Sequence, residues 1–217
     1  MSLPEIAAGI EEPVSSIAAD LRALVQLGYL HHDRSMRTYA PSVRLAQLGG
    51  WVASRYAIDS SLTAAAAAIG ATTGENVAIA CRNDIRMQYL HFVPGHELAP
   101  VVKIGTTRLL CHAGLGWALL ATLNARSIQS IVRRTNALLA AEDMVEISAI
   151  EAVVETCRRT GYVHAEHTVR VGYGVIAMPL APERGRLAVG ISGPVDRLRQ
   201  NETTIVSEMR RALRGWL

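Results

Sequence analysis

The sequence predicts an α+β protein in which a small helical module with a hairpin precedes a larger antiparallel sheet covered by helices. One observation is a proline-started run of helically spaced apolar residues, followed by two short β-prone segments around a polar turn. A second is that the later β-prone segments come as hairpins without regular alternation with helices, which disfavours a doubly wound parallel sheet. Half of the residues are hydrophobic, so a folded core is expected rather than disorder.

The front of the chain predicts a helix-turn-helix. Ser2 and Glu5 have the spacing of a capping box, so SLPEIAAG is expected to form a short helix. Pro13 begins a second helix, and Gly28 is its natural end. The apolar stripe of that helix is Ile17, Leu21, Leu24 and Leu27. Two helices split by a turn of about three or four residues form a helix-turn-helix, whose second helix enters the major groove of DNA.

A hairpin and a further helix are predicted to follow. YLHH and TYA flank the polar turn DRSMR, so residues 1–44 are interpreted as a winged helix-turn-helix. Residues 45–61 are interpreted as a linker helix, with apolar residues on one stripe. The alanine run at 64–68 permits close packing against another helix and is equally compatible with an ordinary core.

Residues 62–217 are predicted to form the larger domain. NVAIACR and IRMQYLHFV flank Asn83-Asp84 as a hairpin, and LAPVVKI is expected to add a strand. A helix from about His112 to Leu123 follows, and then two helices ending at CRRTG. YGVIAMPLA and RLAVGISG form a second hairpin around PERG, before a final amphipathic helix from about Asp196 to Trp216.

Composition excludes several classes of protein. The net charge is +3, but the residues through position 62 carry five arginines against six acids, which counts against a strong grip on DNA by charge alone. No apolar run reaches the roughly 18 residues needed to cross a bilayer, and the start lacks a signal-peptide pattern, so a cytoplasmic protein without a membrane partner is expected. Three widely spaced cysteines predict reduced, buried thiols.

No catalytic constellation is visible in the sequence. A Gly-x-Ser-x-Gly elbow, a phosphate loop and a Gly-x-Gly-x-x-Gly motif are all missing, so no enzyme activity, cofactor or metal is predicted. Cys111 and His112 are adjacent in the chain, which does not make them a nucleophile and base pair. His164 and His167 around Glu166 suggest a metal or acid–base site, but their segment lies at a predicted strand-to-loop transition, so a solvated loop is favoured.

Four stretches, in this order, resemble the IclR family of bacterial transcription regulators. They are PVSSIAADLRALVQLGYL, the segment from Tyr39 to Gly49, the helix start HAGLGWALLA, and the run from Gly161-Tyr162 to GVIAMPLAPERGRLAVGISGP. The last is the most specific, because its spacing through Gly172 to Pro179 matches the family. The resemblance covers nearly the whole chain. It implies a winged DNA-binding domain, a linker helix used in dimerisation and a GAF-like domain that binds small, often carboxylate-bearing metabolites.

The chain departs from the family pattern at several positions. The family has a further helix ahead of the segment matching SLPEIAAG, whereas only Met1 precedes it here. We therefore expect an upstream start or a truncated form, with the apolar faces of the two helices partly uncovered. Ala19 replaces a frequent basic residue, Asp20 an apolar one, and Glu11 the usual turn glycine. Trp117 replaces the usual lysine or arginine, so a positive charge near the effector site is expected to be absent.

Five side chains are predicted to contact DNA. They are Ser15, Ser16 and Arg22 on the second helix and Arg34 and Arg37 on the hairpin. Cations bind phosphates, while serine and arginine read base edges. Each residue alone fits a solvated surface, but together on this scaffold they favour the DNA interpretation. The low positive charge predicts a weak, dimer-dependent binder, or one whose N-terminus carries further cations.

The predicted effector site lies at the start of the helix after CHAGLG. Backbone N–H groups at a helix start attract anions such as carboxylates, and Gly114 is expected to let a ligand approach closely. The resemblance implies the same place and completes the wall. The resulting set is Cys111, His112, Ala113, Gly114, Leu115, Val175, Gly190 and Ser192. Gly190 and Ala165 stand where relatives often have polar groups, so an apolar pocket suited to an aromatic or branched acid is expected.

The sequence thus predicts a transcription regulator that binds double-stranded operator DNA and a small organic acid, as a homodimer or a dimer of dimers. The acid would shift the relative placement of two winged domains through the linker helix. Two alternatives remain. An oligomeric metabolite sensor that has lost specific DNA binding would explain the net charge of −1 over the first 62 residues. A small enzyme on the GAF-like scaffold would need reactive residues that the sequence lacks.

Overall fold

The computed structural model describes residues 1–45, 47, 60–96, 102–181 and 186–217. The chain divides into two units, residues 1–55 and 56–217. The predicted linker helix, residues 45–61, falls almost wholly outside the described residues. The alanine run at 64–68 lies in a helix that begins at Ser60. No helix of the described chain is long and apolar enough to span a membrane.

The first unit contains two helices and a two-stranded antiparallel sheet. The helices are α1 (Leu3–Ile10) and α2 (Val14–Gln26), and the strands are β1 (Leu30–Asp33) and β2 (Thr38–Pro41). The capping box forms, because the backbone N–H of Ser2 donates to Oε2 of Glu5 at 2.7 Å. Helix α2 ends as predicted, with Gly28 at a φ of 75°.

The turn between α1 and α2 contains Glu11, which stands where the family usually has glycine. Glu11 has a φ of 61° and a ψ of 35°, in the left-handed region that favours glycine. Its backbone N–H and that of Glu12 both donate to the carbonyl of Ala7, which satisfies the end of α1. A glycine would adopt this conformation without the steric cost of a Cβ.

The apolar stripe of α2 is buried only in its first half. Ala7, Ile17 and Leu21 form the core of the unit. In contrast, Leu24 is 38% exposed and Leu27 is 56% exposed. The core of the unit therefore includes the first two residues of the predicted stripe and leaves the last two exposed. The expectation that the apolar helix faces remain partly uncovered agrees with these exposures.

The second unit is a six-stranded antiparallel sheet with helices on both sides, which confirms the predicted α+β class. The sheet order is β5-β4-β3-β8-β7-β6. The strands are β3 (Asn76–Asn83), β4 (Arg86–Val93), β5 (Thr107–Leu109), β6 (Val163–Glu166), β7 (Tyr173–Pro179) and β8 (Leu187–Pro194). The helices are α3 (Ser60–Thr73), α4 (Gly114–Ala121), α5 (Ala125–Asn136), α6 (Ile147–Thr160) and α7 (Val195–Ala212), with short 3-10 turns at Leu110–His112 and Ala141–Asp143.

Several predicted boundaries change in the structure. Both hairpins form, although the PERG turn at 182–185 lies outside the described residues. The strand predicted for LAPVVKI is wrong where it is described, since residues 102–104 are not in a strand and β5 begins at Thr107. Helix α4 begins two residues later than expected, because residues 110–112 form the 3-10 turn. Helix α7 ends at Ala212 rather than at Trp216.

The two faces of the sheet carry side chains of different size. One, which we call the bulky face, packs against α3 and α7 through Val77, Ile79, Ile176, Met178, Val189 and Ile191. The other, which we call the small-residue face, lies under α4 and carries Ala78, Ala80, Ala165, Ala177, Ala188 and Gly190. Alternation of the two sets along each strand follows the period of two that a pleated strand imposes.

Candidate functional site

A cavity of about 120 Å³ lies on the small-residue face, beside the start of α4. The loop between β6 and β7 and the region around β5 supply the rest of its wall. Its aromatic and larger aliphatic lining residues are Tyr89, Phe92, Val102, Leu115, Val169, Tyr173 and Val175. Its polar lining residues are Asn76, Arg108, Thr168, Arg170 and Ser192. A mostly apolar cavity with a few placed polar groups is the usual form of a small-molecule site.

Six of the eight predicted effector residues line this cavity. They are Ala113, Gly114, Leu115, Val175, Gly190 and Ser192. The other two, Cys111 and His112, belong to the 3-10 turn and are not among its described lining residues. The Cys111 thiol is buried and contacts Oγ1 of Thr135 at 3.8 Å. Of the predicted segment Cys111–Leu115, only Ala113, Gly114 and Leu115 therefore line the cavity.

The start of α4 presents backbone N–H groups near the cavity. Ala113 is extended, with a φ of −143°, and no side chain caps the helix. Its carbonyl accepts the N–H of Trp117 at 2.9 Å, which is the first bond of the helix. The N–H groups of the first turn have no acceptor within the helix, so the site carries a partial positive potential.

Glycines let α4 lie close to the sheet. A Cβ at Gly114 would stand 2.2 Å from Cγ1 of Val175, and a Cβ at Gly190 would stand 2.9 Å from the side chain of Leu115. The prediction assigned the missing side chain of Gly114 to the approach of a ligand. In the structure, the space is filled by Val175 and Ala165 of the same chain. Packing of α4 on the sheet therefore accounts for these glycines.

Two arginines line the cavity, and no described lining residue is acidic. Arg108 lies on β5 opposite Met87 and is half-buried. Its Nε is sealed from solvent and has no hydrogen-bond partner among the described residues. Arg170 is exposed, with its guanidinium carbon 4.8 Å from the centre of the Tyr173 ring. The charge that a lysine or arginine at position 117 would supply is absent, and these two arginines place positive charge elsewhere on the cavity wall.

Sequence reasoning missed Arg108 because its neighbours lie on another strand. The available signal was a cation directly before the apolar pair Leu109-Leu110, next to a predicted hairpin. Burial raises the pKa of the Tyr89 phenol, and the nearby Arg108 guanidinium acts in the opposite direction. Trp117 takes no part in this arrangement, since its indole N–H donates to the carbonyl of Cys111 at 2.8 Å.

Asn76 and Glu75 hold one end of the cavity in place. Nδ2 of Asn76 donates to the carbonyl of Ser192 at 3.3 Å, and its Oδ1 accepts the N–H of Gly95 at 2.9 Å. The Glu75 carboxylate is buried against Gly193 and forms an ion pair with Arg197. These bonds fix the start of β3 relative to β8 and α7.

The structure changes the interpretation of the His164 segment. His164 lies on β6, and its Nδ1 is 2.9 Å from Oε2 of Glu202. The other carboxylate oxygen of Glu202 accepts a hydrogen bond from the Tyr162 hydroxyl at 2.8 Å. The solvated-loop prediction is therefore wrong for His164. The solvated-loop prediction agrees with His167, which is exposed. Nδ1 of His167 accepts a hydrogen bond from the backbone N–H of Gly172. Glu166 pairs with Arg199.

The predicted DNA-contacting residues all lie on the surface of the first unit. Ser15 and Ser16 are exposed in the first turn of α2, and Arg22 is exposed near its middle. Arg34 and Arg37 are exposed in the turn between β1 and β2. Oδ1 of Asp33 organises that turn by accepting the N–H groups of Ser35 at 2.9 Å and Met36 at 3.0 Å.

Comparison with known proteins identifies the family. A model of the bacterial transcriptional regulator IclR C-terminal domain matches residues 52–215. The effector domain of the transcriptional regulator IclR from Acinetobacter sp. ADP1 is 29% identical, with a TM-score of 0.65 over 71% of this chain and 92% of that chain.

Two longer structures share the fold over almost the whole chain. An IclR transcriptional regulator from Silicibacter sp. TM1040 is 17% identical and has a TM-score of 0.73. The match covers 98% of this chain and 85% of that chain. IclR of Thermotoga maritima is 18% identical and has a TM-score of 0.66, and the match covers 99% of this chain and 90% of that chain. A search of curated proteins finds no match. Because the domain model covers well over half of its residues, the chain belongs to the IclR family of bacterial transcriptional regulators.

Proposed function

We propose that the protein is a DNA-binding regulator of the IclR type, controlled by a small organic acid. Residues 1–44 would bind double-stranded operator DNA, residues 45–61 would link the two functions, and residues 62–217 would bind the acid. The observation that carries the proposal is the cavity at the start of α4, whose described lining includes two arginines and no acid. Such a site favours a ligand with negative charge.

The surface of the first unit supports the DNA-binding part. An exposed helix start with Ser15 and Ser16, followed by a hairpin with two exposed arginines, suits the placement of a helix in the major groove and of the hairpin turn on the phosphates. Acids outnumber arginines over the first 62 residues, so a single copy would bind weakly. A homodimer or a dimer of dimers would engage two half-sites at once and raise the affinity without new contacts.

Control by the acid requires a difference in affinity between two arrangements of the dimer. The ligand shifts the equilibrium only by as much as it binds one arrangement better than the other. Helix α4 is the element through which a bound acid would act, because its N–H groups meet the ligand and its body packs on five strands of the sheet.

A gel-shift titration tests DNA binding. The full chain, expressed with any residues encoded in frame ahead of Met1, is titrated with DNA from upstream of its own gene at several salt concentrations. Replacing Arg34 and Arg37 together by alanine should weaken binding to all sequences and lower the salt slope by about two, roughly one for each phosphate contact.

Arg126→Ala is the matched control, because Arg126 is an exposed arginine at the start of α5 in the other unit. It should leave both affinity and salt slope unchanged. The absence of any salt-dependent shift from the full chain would overturn the DNA-binding part and favour the alternative of a metabolite sensor without specific DNA binding. The net charge of −1 over residues 1–62 is the observation behind that alternative.

A further inference from the structure

We propose that Arg108 selects the charge of the effector, and that the effector is a monocarboxylate with a single aromatic ring. This inference rests on the proposed function of the cavity as an effector site. The carboxylate would pair with the Arg108 guanidinium, and the ring would lie among the apolar side chains of the wall. Arg108 would act as a specificity-determining residue, and Arg170 would contribute little.

The size of the cavity bounds the ligand. The free space is about 120 Å³. A water molecule needs roughly 10–15 Å³ of such free space, so the part of the cavity enclosed by the described residues has room for roughly ten non-hydrogen atoms. Nucleotides and coenzyme A esters are several times larger. A one-ring acid has the required number of atoms.

The electrostatics of Arg108 call for an acceptor. Its Nε is sealed from solvent without a hydrogen-bond partner among the described residues, and it forms no ion pair with any described carboxylate. A buried donor left unsatisfied carries a free-energy cost, and a buried cation carries a larger one. The neighbouring Tyr89 phenol shares a hydrogen bond with the guanidinium, but burial raises its pKa, so it stays protonated at neutral pH and does not act as the counter-charge. A ligand carboxylate that pairs with the guanidinium would supply the missing counter-charge.

The position of Arg170 makes it the weaker candidate. Its side chain is exposed and lies over the Tyr173 ring at 4.8 Å. A carboxylate paired there would keep much of its hydration, and exposed ion pairs contribute little to binding. A carboxylate at the half-buried Arg108 would meet a less screened charge.

The remaining wall fits a flat apolar body. Tyr89, Phe92 and Tyr173 contribute rings, and Val102 and Val175 contribute branched side chains. Aromatic side chains favour offset or edge contacts with another ring. Together with the size limit, this lining points to one ring rather than to a long aliphatic chain.

The test compares charged and neutral ligands of the same shape. Isothermal titration of the full chain uses benzoate, 4-methylbenzoate and their amides, with isovalerate as an aliphatic acid. The wild type should bind the aromatic acids about tenfold to a hundredfold more tightly than the amides, as expected for a charge-assisted hydrogen bond. Arg108→Gln should remove that preference while leaving amide affinity within about threefold, and the matched control Arg170→Gln should retain it.

Each outcome decides between separate parts of the proposal. Loss of the acid preference in Arg170→Gln instead of Arg108→Gln, or equal binding of acids and amides by the wild type, would overturn the role of Arg108. Binding of isovalerate but not of the aromatic acids would overturn the ring and leave the organic-acid function in place. If none of the three acids bound, the proposed effector function itself would fail.

A second variant guards against loss of the fold. Arg108→Lys keeps the charge but not the planar guanidinium, so it should retain an acid preference that is weaker than in the wild type. Thermal melting of all variants without ligand establishes that they fold. An acid preference in Arg108→Lys no greater than in Arg108→Gln would contradict a role for the charge.

Discussion

The two faces of the six-stranded sheet pack in different ways, although the same strands build both. The bulky face presents valines, isoleucines and a methionine to α3 and α7, and these side chains are almost wholly buried. The small-residue face presents alanines, Gly190 and Val175 to α4, whose own glycine Gly114 lets it lie close to the sheet. The cavity lies only on this second side of the described sheet. Small side chains thus bring a helix start close to the strands and leave room for a ligand beside it.

The largest expected effect comes from the bulky face. Ile79 is fully buried there, and Ile79→Ala should lower the free energy of unfolding by about 2–5 kcal/mol, through lost apolar burial and the cavity left behind. Urea denaturation measures the loss. Ala80→Gly, at the next position but on the other face, is the control and should cost about 1 kcal/mol. Equal losses for the two variants would remove the energetic distinction between the faces.

A smaller effect is expected from adding a side chain to α4, the helix that covers the small-residue face. A Cβ at Gly116 would stand 2.2 Å from the carbonyl oxygen of Leu110, so Gly116→Ala should force α4 off its 3-10 turn and cost about 1–3 kcal/mol. The same denaturation experiment detects it. Gly9→Ala is the control, because no atom lies within 4 Å of the added Cβ. Gly9 lies in α1, and alanine is more favourable than glycine inside a helix. That variant should gain about 0.5–1 kcal/mol.

Filling the cavity should affect binding more than stability. Ala78 lines the cavity on the small-residue face. Ala78→Leu would place its new atoms in the free space, so the free energy of unfolding should change by less than about 1 kcal/mol. Benzoate affinity, measured by titration, should fall by about tenfold or more because the ligand and the new side chain compete for space. Unchanged affinity would place the ligand elsewhere.

The smallest expected effect is a difference in the rate at which two buried cysteines, one on each side of the sheet, become accessible through local opening. Burial raises the pKa of Cys157 on α6 to about 11, and burial also raises the pKa of Cys81 on β3. At pH 8 about one Cys157 thiol in a thousand is ionised, so both should react slowly with Ellman's reagent. Cys157, in the last turn of a helix, should react faster than Cys81 in a central strand, because helix ends open more readily. Faster labelling of Cys81 would contradict this order.

Much of the fold followed from local patterns. The capping box at Ser2, the helix end at Gly28 and the hairpin at Asn83-Asp84 all form as predicted, because each depends on residues within a few positions of one another. Burial, in contrast, depends on contacts with residues far away in the chain and did not follow from spacing. Spacing placed Leu24 and Leu27 on the same apolar stripe as Ile17 and Leu21, but only the structure shows that the first two are exposed, because burial depends on what packs against the helix.

The candidate site shows the same division. The helix start near Ala113 was visible in the sequence, because unpaired N–H groups at a helix N-terminus are a local property. The reason for Gly114 was not visible, since Val175 and Ala165 lie more than fifty residues away in the chain. Position 117 was the wrong place to look for a cation, because Trp117 bonds to the turn before the helix.

The sequence by itself determined the order of helices and strands, the family and the position of the helix start that faces the cavity. Only the tertiary structure decided which side chains share that cavity, and above all that Arg108 is the half-buried cation beside it. The physical reason is that pairing of β5 with β4 sets the neighbours of Arg108 and the solvent it loses, whereas spacing along the chain sets neither.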